Sequence, residues 1–349
     1  MAPRESQINT SLGSVHRAES RSFGREYITF GKPINSLKEL AVSAIKFLPH
    51  TIGKRRFVMR GLMSEETIEQ AKKRKLPIEA VIPMNLVTGN ENEKSGIVYL
   101  AKNRHHSPRQ GENQHERIKN RHNGRTPLQR AREMNAKGEF HPVKNLKLED
   151  AEDLYLLWKR FGWNKEEILH FINKIQRGEE NLWFSGMRDS KTGHLVAACN
   201  AEAIEFAGIR YIETTEYSTL HNYENRSLNT TAVSALIAQI LANVHYPKKD
   251  NLITVITAEF NTSSNSASVG ASAGFTIPEK EAGVSGILSY NVAVDDNQPA
   301  NEVFSKSKKL DRGISYGMLR DFVLGIIPIN NIDNMYPQDA VQEIISYYQ

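Results

Sequence analysis

The stretch YENRSLNTTAVSALIAQIL, from Tyr223 to Leu241, places an arginine and a run of mostly small residues directly before a strongly apolar helix. The start of a helix directs unpaired backbone N–H groups and the positive end of the helix dipole at one point, which suits a phosphate or pyrophosphate. Small side chains let the backbone approach such an anion, and Asn229 tolerates the left-handed conformation where glycine would be usual. The residues of this predicted anion loop are Arg226, Ser227, Leu228, Asn229, Thr230 and Thr231. An ordinary Asn or Thr cap on a core helix is the alternative.

Other residues with chemical potential give weaker signals. Four histidines, at positions 105, 106, 115 and 122, lie in a basic segment without the His-Glu-x-x-His spacing or the cysteine partners of a zinc site, so no metal is predicted. The single cysteine, Cys199, excludes an internal disulfide and a CxxC pair. No apolar run is long enough to span a bilayer. These features predict a soluble protein of the reducing cytoplasm without a membrane partner.

A basic segment divides the chain. Residues 102–132 contain nine Lys or Arg against two Glu, so this segment accounts for more than the whole net charge of +5. It has almost no apolar residues and cannot bury enough surface to fold alone. We therefore predict a flexible linker over residues 102–138. The segment could also bind a nucleic acid or another polyanion, but it lacks the interleaved aromatic residues that stack on bases. Nucleic-acid binding is the less favoured interpretation.

Residues 1–101 are predicted to form an N-terminal extension with a small α+β unit. Ser36 and Glu39 make a capping pair before an amphipathic helix that reaches Leu48. A second helix is predicted over residues 63–75, where Pro77 stops it. Strands are predicted in EAVIPMNLV and in SGIVYLA. This unit precedes the linker.

Residues 139–296 show a regular order of elements: β, α, α, β, β, β, α, β, α, β. The three strands NLWFSGMRD, HLVAACNAEAIEF and IRYIETTEYSTL are separated by short turns and predict an antiparallel meander. After the anion loop and its helix come the strand NLITVITAEF, a small-residue helix and a closing strand SGILSYNVAVD. The predicted fold class is α/β (α+β), a mixed and mostly antiparallel sheet flanked by helices. Residues 297–349 are predicted to be a C-terminal extension with a helix in DAVQEIISYY.

This order, together with two motifs, resembles the GNAT-type N-acetyltransferases, a superfamily that depends on acetyl-CoA. The pyrophosphate loop of that family reads Gln or Arg, two residues, Gly, one residue, Gly or Ala, and it corresponds here to Arg226, Asn229 and Thr231. The two glycines of the family are therefore replaced. More distantly, ETTEYSTL and SYNVAV resemble the β-lysine acetyltransferase branch.

The second motif of the family is a strand, an asparagine-containing turn, a helix and a Gly-Phe pair. It corresponds here to TAEFNTSSNSASVGASAGF, with Asn261, Gly274 and Phe275. The family asparagine lies about two positions closer to Gly-Phe, so residues 263 or 264 are alternatives to Asn261. Where many members have a tyrosine acid, this chain has Gly270. The resemblance covers residues 139–296 and implies a GNAT-like acyltransferase domain there.

The resemblance also implies roles for residues on the fourth strand. A carboxylate near this strand removes a proton from the acceptor amine, and the candidates are Glu213 and Glu216. Because an odd spacing directs the two to opposite faces of a strand, at most one faces the cleft unless a bulge intervenes. Backbone N–H groups around Tyr217, Ser218 and Thr219 would polarise the thioester carbonyl and hold pantetheine like an added strand.

Weaker candidates complete this set. Glu202 and Glu205 on the preceding strand are alternative carboxylates, and Ser268 or Ser272 could protonate the leaving thiolate. The structural alternative for each is a solvated, paired or packing side chain. The aromatic residues of the first two helices, Trp158 among them, are expected in the core more than in an acceptor pocket.

Two classes of function follow from these observations. The favoured one is an N-acetyltransferase that moves an acetyl group from acetyl-CoA to a primary amine of a small molecule or amino-acid derivative; transfer of a longer acyl chain is not distinguished. The rival is a non-catalytic scaffold with a degenerate acetyltransferase fold and a basic segment that binds a polyanion. The anion loop separates the two, because only the enzyme needs it to hold a pyrophosphate.

Overall fold

The fold consists of a six-stranded and a seven-stranded β-sheet with helices packed on them, and a short two-stranded hairpin. It is seen in a computed structural model of the full chain, which describes residues 8–10, 12–20, 25–51, 57–101, 125–161, 163–247, 250–261, 266–278, 287–292, 309–310, 314–315 and 318–348. Both sheets are mostly antiparallel, and each contains a parallel strand pair. The predicted fold class is confirmed.

The first sheet is built from the N-terminal part of the chain. Its strands are β1 (Ile8–Thr10), β2 (Gly13–Ser20), β3 (Arg25–Phe30), β4 (Phe57–Met63), β5 (Ile78–Pro83) and β6 (Gly96–Ala101). They are arranged in the order β1-β2-β3-β4-β6-β5. The connecting helices are α1 (Leu37–Thr51), α2 (Glu65–Lys73) and α3 (Met84–Thr88).

Local signals explain which of these elements were predictable. Helix α1 begins where the Ser36 hydroxyl accepts a hydrogen bond from the Glu39 N–H at 3.2 Å, as expected for a capping residue. The strand predicted in EAVIPMNLV is only half right, because β5 ends at Pro83 and the remaining residues form α3. Strands β1 to β4 were not predicted. In β4, Gly61 breaks the apolar pattern because Ile34 packs where a Cβ would stand.

Helix α4 (Pro127–Lys137) corrects the predicted extent of the linker. Thr126 and Gln129 form a capping box at its start, and the helix buries Arg130, Ala131 and Met134. These buried residues lie within the segment that composition had marked as a linker. Residues 102–124, which carry most of the basic charge, lie outside the described residues.

The second sheet follows the predicted order of elements. Its elements up to the meander are β7 (Phe140–Val143), α5 (Ala151–Trp158), α6 (Lys165–Gln176), β8 (Leu182–Asp189), β9 (Leu195–Phe206) and β10 (Ile209–Thr219). The later ones are α7 (Leu228–Ile240), β11 (Ile253–Asn261), α8 (Ser266–Ser272) and β12 (Ile287–Val292). A π-helical turn, Leu241–His245, extends α7. The predicted β, α, α, β, β, β, α, β, α, β order is confirmed.

The C-terminal extension completes this sheet, which corrects the predicted boundary at residue 296. After a short hairpin of β13 (Lys309–Leu310) and β14 (Ile314–Ser315) come β15 (Met318–Ile326), α9 (Ile329–Met335) and α10 (Gln338–Ser346). The strand order is β12-β15-β11-β10-β9-β8-β7. Strand β15 thus separates β11 from β12, so the predicted closing strand lies at the edge. The predicted helix in DAVQEIISYY is confirmed as α10.

Each face of the second sheet is covered by different elements. One face packs against α7, which buries ten of its residues, and against α4, α9 and α10. On the opposite face lie α5 and α6 at one end and the first sheet at the other. The cluster shared by the two sheets includes Val58, Tyr99, Tyr211, Val255 and Ile326. The first sheet therefore packs directly on the second.

Candidate active site

Strands β10 and β11 run in parallel and then diverge. Their pairing extends from Ile209 opposite Ile253 to Thr214 opposite Ala258. Beyond that point β10 continues alone along β9 to Thr219, while β11 continues along β15. Among the described strands, none pairs with β10 on its β11-facing side beyond Thr214, and this stretch includes the predicted backbone donors Tyr217, Ser218 and Thr219.

A β-bulge in β10 lies at this divergence. The register between β10 and β9 shifts between Thr215 and Ser218, and Glu216 within the bulge has a left-handed backbone with φ 55°. The bulge changes the direction of the two candidate carboxylates. Glu213 and Glu216 both contact elements of the sheet face that carries α5, α6 and the first sheet. The sequence had predicted opposite faces unless a bulge intervened, and the bulge is present.

Glu216 is fixed by hydrogen bonds from three side chains. The indole N–H of Trp163 donates to its carboxylate Oε1 at 3.0 Å, and the hydroxyl of Thr215 donates to Oε2. The indole N–H of Trp158 donates to its main-chain oxygen at 3.0 Å. Trp158 is fully buried, so it anchors the bulge from the core, whereas Trp163 is only half-buried. The carboxylate therefore has a defined position beside an aromatic cluster.

Glu213 is fixed from the first sheet. Nη1 of Arg60, on β4, lies 3.7 Å from Oε2 of Glu213. The Arg60 side chain is 2% exposed and that of Glu213 is 32% exposed, so the carboxylate lies between a buried cation and solvent. Burial opposes the charge of Arg60, but Tyr211, Tyr99 and Glu213 offset this, and its pKa is raised. Sequence reasoning missed Arg60, because nothing in FVMRGLM marks its arginine as buried.

Helix α7 begins without a side-chain cap. Its first residue is Leu228, which is buried, and the first i to i−4 hydrogen bond runs from the N–H of Thr231 to the oxygen of Ser227 at 3.0 Å. The backbone N–H groups of residues 228–230 precede that bond and lie at the positive end of the helix. The left-handed residues of the loop are Asn225 with φ 63° and Ser227 with φ 61°. Asn229, which would tolerate this conformation, does not adopt it and lies in the first helical turn.

Arg226 lies at the mouth of the same loop. It is exposed, and its guanidinium carbon is 5.5 Å from the ring centroid of Tyr223 and 5.9 Å from that of Phe140. Both rings can hold the cation by cation–π attraction while its N–H donors stay accessible. Arg226 is thus positioned beside the start of α7, as the anion-loop hypothesis requires.

Three buried polar atoms, two near the end of β10 and one in the first turn of α7, have no hydrogen-bond partner among the described residues. They are Ser218 Oγ, Thr219 Oγ1 and Asn229 Oδ1. A buried polar group without a partner is unfavourable, so such atoms indicate a place where a ligand or water completes the bonding. All three belong to residues that the sequence had marked. A fourth such atom, Oδ1 of Asn200, was missed; Asn200 lies opposite Thr215 beside the bulge.

Other candidates fall outside this arrangement. Glu205 pairs with Arg210 at 2.9 Å, and Glu202 lies opposite Glu213 and is exposed. Asn261 ends β11, but its side chain and residues 262–265 lie outside the described part. Ser268 is half-buried in α8 and Ser272 is buried near its end.

The absence of a tyrosine at position 270 has a packing reason. The ring of Phe260 lies where a Cβ at Gly270 would stand, so no side chain fits there. The ring of Tyr217 lies 6.1 Å from that of Phe260, and its hydroxyl shares a hydrogen bond with Thr214. Burial raises the pKa of Tyr217 well above its ordinary value, which keeps the phenol protonated.

The described residues contain neither a metal-binding cluster nor a membrane-spanning helix. Among the described residues, no group of three or more His, Cys, Asp or Glu side chains is placed to hold a metal ion. The four histidines of the basic segment lie outside that part. No helix in the described ranges is long and apolar enough to cross a membrane.

Comparisons with known proteins give similarities of fold. No family model and no curated protein matches the sequence. The acetyltransferase of GNAT family from Streptococcus pneumoniae is 15% identical over 55% of this chain and 100% of its own, with a TM-score of 0.36. The ribosomal-protein-S5-alanine acetyltransferase from Vibrio fischeri is 13% identical over 54% of this chain and 93% of its own, with a TM-score of 0.36. The PaiA N-acetyltransferase from Thermoplasma acidophilum, solved in complex with coenzyme A, is 16% identical over 41% of this chain and 92% of its own, with a TM-score of 0.31.

These similar structures are acetyltransferases, and at such identities and TM-scores they do not bear on the activity of this chain. The second sheet shows in its own geometry the features that the sequence predicted for it. It has the predicted element order, a bulge in the fourth strand of the unit and a helix that starts directly after that strand. The likeness to the β-lysine acetyltransferase branch stays a prediction.

Proposed function

We propose that this protein is an N-acetyltransferase that uses acetyl-CoA as cosubstrate. The single observation that carries the proposal is the divergence of β10 from β11 together with the uncapped start of α7, whose first residue, Leu228, lies in the same packing cluster as Tyr217. An open strand edge and a free helix N-terminus are the two features that an extended ligand with a pyrophosphate needs.

The residues of the anion loop would hold the pyrophosphate. Backbone N–H groups of Leu228, Asn229 and Thr230 supply directed donors at the positive end of α7, and Arg226 adds a positive charge. Ser227 and Thr231 border these donors, the former with a left-handed backbone that a glycine would adopt more easily. Asn229 and Thr231, which replace the glycines of the family motif, lie in the first turn of α7 without a positive φ, so their backbone does not require glycine.

The open edge of β10 would hold the pantetheine arm and the thioester. Residues 217–219 offer main-chain groups in the direction of β11, and the unpartnered hydroxyls of Ser218 and Thr219 lie on the same segment. A backbone N–H directed at the thioester oxygen would stabilise the negative charge that develops there during attack. Asn261 stays a proposed contact from the opposite strand.

The carboxylates on the bulged strand would handle the proton of the acceptor. The amine nitrogen attacks the thioester carbonyl carbon, a C–N bond forms, and the C–S bond breaks. Glu213 or Glu216 takes the proton that the ammonium must lose, directly or through water. The leaving thiolate takes a proton from a donor for which Ser268, Ser272 and Tyr217 are the candidates. Because Glu213 and Glu216 are fixed by different elements, they can be tested separately.

The acceptor is proposed to be a primary amine of a small molecule or amino-acid derivative, in the cytoplasm. The two carboxylates on one face favour a cationic group over an anionic one. The rival hypothesis, a scaffold without catalysis, predicts no acetyl-CoA turnover at all. Binding of a polyanion by residues 102–132 stays a separate prediction, which is compatible with both the acetyltransferase and the scaffold hypothesis.

Turnover with a panel of amines tests the proposal. Wild-type protein is mixed with acetyl-CoA and, in turn, L-lysine, 1,5-diaminopentane, ethanolamine and benzylamine, and release of the CoA thiol is followed. We expect turnover with at least one amine and a loss of about 10²- to 10⁴-fold in kcat/KM for Glu216→Gln, since general-base catalysis contributes on that order. The control Glu166→Gln changes an exposed carboxylate in the first turn of α6 and is expected to leave the rate unchanged. Absence of turnover for every amine, with acetyl-CoA bound, would support the scaffold.

A further inference from the structure

Arg60 is a buried cation that belongs to one sheet and contacts a carboxylate of the other. It lies on β4 of the first sheet and is 2% exposed, and its Nη1 approaches Oε2 of Glu213 at 3.7 Å. Its Nε donates a hydrogen bond to Oγ1 of Thr29 at 3.2 Å. Arginine is rarely buried to this extent without a specific partner. Among the described side chains, Glu213 is the only carboxylate found in an ion pair with it.

Three tyrosine rings enclose the guanidinium. Its central carbon lies 4.1 Å from the ring centroid of Tyr211, 5.0 Å from that of Tyr27 and 5.9 Å from that of Tyr99. Aromatic faces stabilise a desolvated cation. The hydroxyls of Tyr99 and Tyr211 also share a hydrogen bond across the two sheets. The three rings surround a guanidinium whose Nη1 makes no hydrogen bond among the described residues and lies at ion-pair distance, 3.7 Å, from Glu213.

The same sheet also contacts the strand on the other side of the divergence. The hydroxyl of Tyr27 donates a hydrogen bond to Oε1 of Glu259 at 2.7 Å. Glu259 follows Ala258, the last residue of β11 that pairs with β10. The first sheet thus contacts Glu213 on one strand and Glu259 on the other, where the two separate.

We propose that the first sheet forms part of the active site and that Arg60 is the positioning residue of Glu213. This inference rests on the proposed acetyltransferase function. Arg60 does not touch the reacting atoms; it holds the carboxylate of Glu213 oriented toward the divergence, where the acceptor ammonium is received. Removal of the guanidinium charge would take away the ion pair that reaches Glu213 from the first sheet. The effect on catalysis would then pass entirely through Glu213.

A double-mutant cycle tests this coupling in the full-length protein. The variants are Arg60→Met, Arg60→Lys, Glu213→Gln and the double variant Arg60→Met with Glu213→Gln, with acetyl-CoA and either L-lysine or 1,5-diaminopentane as substrates. We expect Arg60→Met to lower kcat at least tenfold while the Kd for acetyl-CoA stays within twofold of wild type. The double variant should match Glu213→Gln within twofold, because effects that share one group are not additive. Arg60→Lys, which keeps the charge, should recover at least part of the lost rate.

A matched control removes another arginine of the same sheet pair. Arg210 lies on β10 and pairs with Glu205 and Asp250, away from the divergence. Arg210→Met is expected to change kcat less than twofold. A multiplicative loss in the double variant, or a kcat for Arg60→Met equal to that of wild type, would overturn the inference.

The cycle is also measured by urea unfolding, which does not depend on the acceptor. We expect Arg60→Met to lower the urea midpoint in the wild-type background by a different amount than in the Glu213→Gln background. Equal shifts in both backgrounds would show that Arg60 does not act on Glu213 and would overturn the inference. Turnover that is absent in wild type while the midpoints remain coupled would instead contradict the proposed function.

Discussion

At the scale of single residues, Glu216 is the most constrained member of the site. A left-handed backbone at a residue other than glycine costs about 1 kcal/mol or more, so it persists only where the surroundings determine it. Here Trp158 and Trp163 hold its main chain and its carboxylate from α5 and the segment after it. Strain of this kind is common at functional sites. The position of Glu216 therefore supports its assignment as a candidate base.

Cys199 provides a prediction that reports on the core beneath the site. It is the only cysteine of the chain, it is fully buried in β9, and burial raises the pKa of its thiol well above the ordinary value. We expect an aromatic disulfide reagent at pH 8 to leave the native protein unmodified. In denaturing urea the same reagent should release one equivalent of product. Complete reaction of the native protein within seconds would contradict the described packing.

Residue types predicted the place of the anion loop but not its conformation. The left-handed residues are Asn225 and Ser227, whereas the family motif pointed to Asn229. The sequence could not distinguish these positions, because Asn and Ser both adopt left-handed and helical backbones at small cost. Arg60 was missed for another reason: its burial depends on Tyr27, Tyr99 and Tyr211, which come together only when two sheets pack.

At the scale of elements, the C-terminal helix α10 is part of the core and not an appendage. Ile344 is 1% exposed and packs in the cluster around α7. We expect Ile344→Ala to lower the free energy of unfolding by about 2–5 kcal/mol, the range for removal of a buried Ile side chain. The control is Ile45→Ala on α1, because the Ile45 side chain is 62% exposed. This substitution should change the free energy of unfolding by no more than about 0.5 kcal/mol. Urea unfolding measures the free energy of unfolding of both variants. Equal losses for Ile344→Ala and Ile45→Ala would contradict the packing of α10 in the core.

Elements with strong local periodicity were predictable, and those defined by distant pairing were not. The meander β8 to β10 and the helices α5 to α7 carry clear apolar spacing and turn signals, so their order was predicted correctly. Strand β15 lies between β11 and β12 although it follows both in the chain, and no local signal encodes such a pairing. Helix α4 was not predicted because its composition is polar, although Thr126 and Gln129 have the spacing of a capping box at its start.

At the scale of the whole molecule, the two sheets share one buried cluster. Tyr99 of β6 and Tyr211 of β10 are each at most 1% exposed, and they meet across the interface. We therefore expect a single cooperative thermal transition, seen at the same temperature by far-ultraviolet circular dichroism and by tyrosine and tryptophan fluorescence. The tryptophans, at positions 158, 163 and 183, all lie in the part of the chain that follows β7 and contributes to the second sheet and its helices. A separate earlier transition in circular dichroism alone would contradict this shared core.

The central claim is that the start of α7 binds the pyrophosphate of acetyl-CoA, and isothermal titration calorimetry of Thr230→Asp tests it most directly. An aspartate in the first helical turn interacts favourably with the helix dipole by about 0.3–1 kcal/mol, so the melting temperature should stay the same or rise. The same charge repels a pyrophosphate, so the Kd for acetyl-CoA should rise at least tenfold.

The control Gln338→Asp adds an equal charge to the first turn of α10 and should bind acetyl-CoA like wild type. Saturable binding by wild type and by Gln338→Asp, with weakened binding by Thr230→Asp, is the predicted result. Binding by Thr230→Asp with the wild-type Kd, or no binding by wild type, would contradict the claim.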